Sequence, residues 1–340
     1  MNESVISRLM TIAIVLFLKA HFSVGQQNRM PIDTSFLLPV NGVQQYLEIK
    51  GALRSKPVLL FIHGGPFWPA TPMLRRYNQD LTNDFVVVSW DQRNCGKSGT
   101  DASAKLTPDL FVEDAHQVTL FLKKKLAAKK ILVVGNSWGS VVGIMLVTKY
   151  PQDYWAYVGV GQVVNQPKAL QVVRDLTLKQ AELKKDTATV RAIRQLHITP
   201  SNAYYLSFED LMKFYQLAAP YIRSDAVMAL EDMTQLYPDY HYSKIDWFTP
   251  LMTYGKELVD YMNSARLDIS VYTKFEIPMY FIAGLYDYNT PSALVEEYFK
   301  TIAAPTKKFF WFESSGHSPQ WEESKRFHEC LLLIAAENKE

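Results

Sequence analysis

Residues 131–150 read as a buried strand, a tight turn and a buried helix in direct succession. Ile131 to Val134 (ILVV) is wholly apolar, Gly135-Asn136-Ser137-Trp138-Gly139 follows, and Trp138 to Tyr150 is mostly apolar up to Pro151. An apolar run without alternation suits a strand covered on both faces, as in a parallel sheet with helices above and below. Pro57 to Ile62 (PVLLFI), Phe85 to Trp90 (FVVVSW) and Ile277 to Ala283 (IPMYFIA) have the same character. Gln45 to Ile49 alternates, Tyr157 to Val160 is a short strand, and Lys307 to Phe312 (KKFFWF) adds another. Over Pro108 to Lys125 the residues Leu110, Phe111, Ala115, Val118, Phe121 and Leu122 fall on one helical face. The expected class is α/β, with a mostly parallel central sheet and helices on both faces.

That rhythm stops at about Asn165 and resumes at about 270. The stretch 165–269 shows no strand run; it has helical, charged segments (Ala169 to Val190, Phe208 to Ala219, Ala226 to Leu236, Leu251 to Arg266) and many aromatics. It reads as a helical cap inserted between a first core part, 26–164, and a second, 270–340. A terminal helix is expected over about Glu322 to Ala336. Residues 1–25 are a different kind of sequence: a short polar start, the uncharged run Leu9 to Leu18, then Ser23 and Gly25 before Gln26. Ten residues, apolar except for Thr11, are too few to span a bilayer, which takes about 20. The layout is that of a cleavable secretory signal, which places the mature chain outside the cytoplasm, secreted or periplasmic, with no membrane span.

Composition narrows the functional classes. The chain has 340 residues with 36 Lys+Arg against 34 Asp+Glu, so no nucleic-acid footprint follows. The basic spot Lys123-Lys124-Lys125 is the solvated end of a helix, where cations suit the dipole. Cys95 and Cys330 are too few for a disulfide framework. The seven histidines show no HExxH pairing and no metal site is expected.

The chemistry-bearing residues sit at strand ends. Gly135 to Gly139 is G-x-S-x-G between a buried strand and a buried helix, the setting that pushes a serine side chain clear of the sheet. A serine hydroxyl is a poor nucleophile alone and needs a base with an orienting acid. His317, in Ser314-Ser315-Gly316-His317-Ser318-Pro319 after the KKFFWF strand, is the expected base. His197 and His241 fall in the insertion and His328 in the last helix. Asp287, in the stretch Gly284-Leu285-Tyr286-Asp287 that follows IPMYFIA, is the expected acid, with Glu313 its rival. It would hold the imidazole tautomer and stabilise its cation. His63-Gly64-Gly65-Pro66 ends the PVLLFI strand; the Gly65 and Trp138 N–H groups are the expected oxyanion donors, with His63 tying loops together.

Taken together, HGGP at 63–66, Asp91-Gln92-Arg93-Asn94-Cys95-Gly96-Lys97-Ser98, GNSWGS at 135–140, GLYD at 284–287 and GHS at 316–318 resemble the proline iminopeptidase branch of the α/β-hydrolase superfamily. The resemblance covers about 40–160 and 270–335. It implies the α/β-hydrolase fold, the triad Ser137, Asp287 and His317, no cofactor, and removal of N-terminal proline or other residues from peptides. It also implies a packing role for the Asp91–Ser98 loop, and cap acids that bind the substrate's α-ammonium. The acids available are Glu209, Asp210, Glu231 and Asp232, with Glu209 and Glu231 taken as the binding pair. The chain departs from the family where Phe67 stands for the last glycine of HGGPG and where Asn136 precedes the serine. The alternatives are an esterase or amide hydrolase of small apolar substrates, and a non-catalytic binding protein, which would have lost a triad member.

Overall fold

Successive residues of each central strand go to opposite faces, and here both faces are apolar. Val58, Leu60 and Ile62 enter one core while Leu59 and Phe61 enter the other; Ile131 and Val133 alternate in the same way with Leu132 and Val134. A computed structural model describes residues 30–101, 103–196, 208–222, 258, 261–262 and 267–338. The elements are β1 (Ile32–Val40), β2 (Val43–Gly51), β3 (Val58–Ile62), α1 (Thr71–Tyr77), β4 (Val86–Trp90), α2 (Pro108–Leu126), β5 (Ile131–Asn136), α3 (Trp138–Lys149) and β6 (Tyr154–Val160). They continue with α4 (Gln166–Leu183), α5 (Thr187–Gln195), α6 (Phe208–Ala218), β7 (Met279–Gly284), α7 (Ser292–Thr301), β8 (Lys307–Phe312), α8 (Pro319–Glu322) and α9 (Ser324–Glu337).

The strands form one sheet in the order β1-β2-β4-β3-β5-β6-β7-β8. Pairing is antiparallel for β1/β2 and β2/β4 and parallel from β4 to β8. One core holds Phe111, Val118, Val141, Ile144, Val295 and Tyr298 from α2, α3 and α7; the other holds Met73, Leu74, Trp321, Phe327, Leu331 and Ile334 from α1, α8 and α9. Each such side chain contributes about 1.5–3 kcal/mol relative to an exposed one. Cys95 lies in the first core and Cys330 in the second, both as free thiols, and burial raises the pKa of each. The sheet is therefore the mostly parallel α/β core expected from the sequence, with the carboxyl ends of β3 to β8 on one edge.

Three local features differ from the sequence reading. β1 was not expected: it is an edge strand whose residues alternate between half-buried and exposed, and it carries Pro39, which an edge tolerates. The signal for it is Asn41-Gly42, the two-residue hairpin turn between β1 and β2, with φ of 43° and 84°. The helix expected over Ala169 to Val190 is two helices, α4 and α5. Lys185 adopts φ 59°, and the Asp186 carboxylate accepts the Thr189 N–H, so a new N-cap interrupts the apolar periodicity. The expected terminal helix is α9, and the four-residue α8, not expected, precedes it across Glu323.

After β6 the chain leaves the sheet through α4, α5 and α6. Leu170, Val173, Leu211, Phe214 and Ala218 form a small core of their own there, with Tyr215 and Tyr288 packed against it. The departing and returning strands of chain touch: Asn165 bridges Asp268, and the Ile269 N–H donates to the Val164 carbonyl at 2.7 Å. The helices expected over Ala226 to Leu236 and Leu251 to Arg266 fall on residues that are not described or described only in part, and the segment 1–25 lies outside the described residues. Among the described residues no helix is long and apolar enough to cross a membrane.

Candidate active site

β5 ends in Asn136, and Ser137 turns the chain into α3 with φ 52° and ψ −120°. A non-glycine residue in this region costs about 1–3 kcal/mol and persists only where its surroundings hold it. Here the Ser137 N–H donates to the Val160 carbonyl at 3.0 Å, and its carbonyl accepts the Ser140 N–H at 2.8 Å and the Ser140 Oγ–H at 2.6 Å. The serine is thus fixed between the ends of β5 and β6 with its side chain half-buried.

His317 lies in the loop after β8. Its Nδ1 is 2.9 Å from Asp287 Oδ2, in the loop after β7. Asp287 is buried, and it also accepts the Thr290 Oγ1–H at 2.8 Å and the N–H groups of Asn289 and Thr290, both at 2.9 Å. These donors leave the carboxylate one orientation, toward the imidazole. Glu313, the rival acid, is exposed.

Gly161 joins the two halves of the site. It adopts φ 54°, and a Cβ there would stand 3.1 Å from Nδ1 and Cε1 of His317. Ser137 is bonded to Val160 and His317 packs on Gly161, so the serine turn and the imidazole meet across two consecutive residues at the end of β6.

The HGGP turn closes the other side. A Cβ on Gly64 would lie 3.0 Å from the Ser137 Cβ, so only glycine lets the backbone come this close. Gly65 is exposed next to it. Trp138 is the first residue of α3, where backbone N–H groups have no partner within the helix. His63 is buried: its Nδ1 lies 2.7 Å from the Gly64 carbonyl, and its Nε2 accepts the Gln92 N–H at 3.0 Å. Burial lowers its pKa to about 4, so it is a neutral Nδ1–H tautomer that ties two loops together.

The sequence pattern of the alpha/beta hydrolase family matches residues 59–329. The chain belongs to this family. It is 28% identical over 303 residues to a probable aminopeptidase of Bacillus subtilis, covering 86% of this chain and 93% of that protein. It is 35% identical over 123 residues to a probable proline iminopeptidase of Streptomyces coelicolor, a match to 36% of this chain and 37% of that protein. Among solved structures, a proline iminopeptidase-related protein of Thermus thermophilus superposes with a TM-score of 0.63 at 21% identity, covering 90% of this chain and 98% of that one.

Two further parts of this alpha/beta hydrolase site were not expected from its sequence. Glu322, on α8, accepts the Gly316 N–H at 3.0 and 3.1 Å and the Ser318 N–H at 3.2 Å, so one carboxylate holds the backbone on both sides of His317. Its only sequence signal is an acid shortly after the GHS motif. Tyr215, on α6, is the other. Burial first, and then the Asp287 carboxylate, push its phenol up to about 12, so it stays neutral beside the site. Its hydroxyl accepts from Gln166 Nε2 at 3.5 Å. Of the expected substrate-binding acids, Glu209 falls on α6, but its side chain, like the whole of Glu231, lies outside the described residues. Among the described residues no group of three or more His, Cys, Asp or Glu is placed to hold a metal ion.

Proposed function

We propose that the protein is a serine hydrolase of the proline iminopeptidase type, acting on small peptides through an acyl-enzyme. The observation that carries this reading is the His317–Asp287 pair, set at 2.9 Å and packed on Gly161 beside the strained Ser137 turn. Ser137 Oγ attacks the acyl carbon while His317 Nε2 takes its proton and passes it to the leaving amine. Asp287 holds Nδ1–H and stabilises the imidazolium. The N–H groups of Gly65 and Trp138 receive the oxyanion, each worth about 2.7–4 kcal/mol in the transition state. Water then releases the acyl group by the reverse proton path.

The aminopeptidase half of the reading is supported by the likeness to the Bacillus subtilis relative over 86% of the chain. The segment 165–269 is the cap in this account, with Glu209 and Glu231 receiving the α-ammonium of the substrate. Residues 1–25 would direct the chain out of the cytoplasm. The test is turnover of proline p-nitroanilide and p-nitrophenyl butyrate by the full-length chain beside a Ser137→Ala control. Anilide turnover that disappears when the proline amine is acetylated supports the aminopeptidase. Turnover of the ester alone contradicts it and leaves an esterase.

A further inference from the structure

Gln92 is completely buried; its carbonyl accepts the Cys95 N–H at 3.1 Å within its own loop, and both of its side-chain contacts go to the two segments assigned above to the oxyanion. Its side-chain Nε2–H donates to the His63 carbonyl at 2.8 Å. Its Oε1 accepts the indole Nε1–H of Trp138 at 3.2 Å. Its backbone N–H donates to His63 Nε2 at 3.0 Å. One side chain therefore spans from the residue that opens the HGGP turn to the residue that follows the serine.

Its neighbours in the chain do a different job. Asp91 accepts the Thr71 Oγ1–H and the Lys97 N–H, both at 2.9 Å, and so folds the loop onto α1. Arg93 pairs with Asp114 on α2. These two hold the loop from outside and leave Gln92 directed at the site.

We propose that Gln92 is a positioning residue that sets the separation of the two backbone segments carrying the oxyanion donors, Gly65 and Trp138. This rests on the serine hydrolase reading. The contact calls for a donor and an acceptor on one side chain of this length, which a carboxamide supplies without taking up a proton. The His63 carbonyl needs a donor and the Trp138 indole, which can only donate, needs an acceptor. An ionised glutamate offers acceptors alone and would set a carboxylate against the His63 carbonyl, and it can donate there only by taking up a proton. A leucine or methionine offers neither and would leave two buried polar groups unpaired. A shift of the two segments by a fraction of an ångström acts on the transition state more than on the bound substrate, because the donors are aimed at the oxyanion.

The test uses the full-length protein with Gln92→Glu, Gln92→Met and Trp138→Phe. The last removes the indole N–H end of the bridge, together with part of a buried ring that packs on Phe111, and serves where a Gln92 variant does not fold. Three quantities are read on whichever of the two p-nitro substrates above the wild-type protein turns over: kcat, KM, and the inhibition constant of an alkyl boronic acid, which forms a tetrahedral adduct on the serine. The expected result for the Gln92 variants is a kcat lower by about 10- to 100-fold, with KM within about threefold. The boronate inhibition constant rises by the same factor as kcat falls. Trp138→Phe moves the same two quantities in the same direction by less. Wild-type kcat in the Gln92 variants overturns the proposal. So does a kcat loss with unchanged boronate affinity, which would mark a role in stability alone. Failure of the wild-type protein to react with either compound overturns the underlying hydrolase reading instead, and is seen before any variant is made.

Discussion

Nδ1 of His317 stands 2.9 Å from Oδ2 of Asp287, across 30 residues of chain and from a different strand end. The three donors that Thr290 and Asn289 supply to Asp287 fix the carboxylate, and the carboxylate fixes the imidazole. Asp287→Asn keeps the shape but favours the wrong tautomer. It should lower kcat by about a thousandfold to ten-thousandfold with KM changed only a few-fold. Steady-state kinetics on the substrate that the wild-type protein turns over checks this; a loss below tenfold would separate Asp287 from the reaction.

Gly161 is the point where the serine turn and the histidine meet. Its φ of 54° disfavours any side chain, and a Cβ would press on the imidazole at 3.1 Å. Gly161→Ala should cost about 1–2 kcal/mol in backbone strain. It should also lower kcat by about 10- to 100-fold by displacing His317. Denaturant unfolding and kinetics on the same sample measure both. Full activity in a destabilised variant would show that His317 does not depend on this contact.

The buried Arg93–Asp114 pair anchors the loop that carries Gln92. Both side chains are almost wholly buried, and Asp114 also accepts from Gln45 and Asn41. Arg93→Met would leave an uncompensated buried carboxylate and should destabilise by about 3–5 kcal/mol. Arg93→Lys keeps the charge without the fork and should fall between the variant and wild type. Urea unfolding tests this, and a loss under about 1 kcal/mol for Arg93→Met would contradict it.

His63 makes stability depend on pH. It titrates near 6.5 in the unfolded chain and at about 4 when folded, because burial disfavours the cation. Between those values the unfolded chain binds the extra proton. The contribution is therefore full above pH 6.5 and is lost as pH falls toward 4, by about 3 kcal/mol in total. Unfolding free energies from pH 7 down to pH 4 should fall more steeply for wild type than for His63→Gln. Equal slopes would mean that His63 is not buried and neutral.

The parts of this molecule that could be read from its sequence are those encoded locally. The β5–Ser137–α3 turn is one contiguous stretch, and Asp287 and His317 each lie in the short loop after a strand run that can be read from the sequence. β1 is not legible because an edge strand with one half-exposed face and a proline lacks the continuous apolar signal of its neighbours. The break between α4 and α5 depends on a single capping aspartate within an otherwise helical periodicity. Gln92 is legible only as a polar residue inside the Asp91–Ser98 motif, and Glu322 only as an acid after the GHS motif. Their roles come from partners 29 and 46 residues away for Gln92, and from main-chain N–H groups that Glu322 reaches across a turn.

The central claim is that Ser137 is the nucleophile of this site. Its most direct measurement is to treat the full-length protein with an alkyl fluorophosphonate and locate the adduct by peptide mass spectrometry. The expected result is one phosphonylated residue, Ser137, with labelling abolished in Ser137→Ala and strongly slowed in His317→Ala. No adduct on wild-type protein, or an adduct on another serine that persists in Ser137→Ala, would contradict the account.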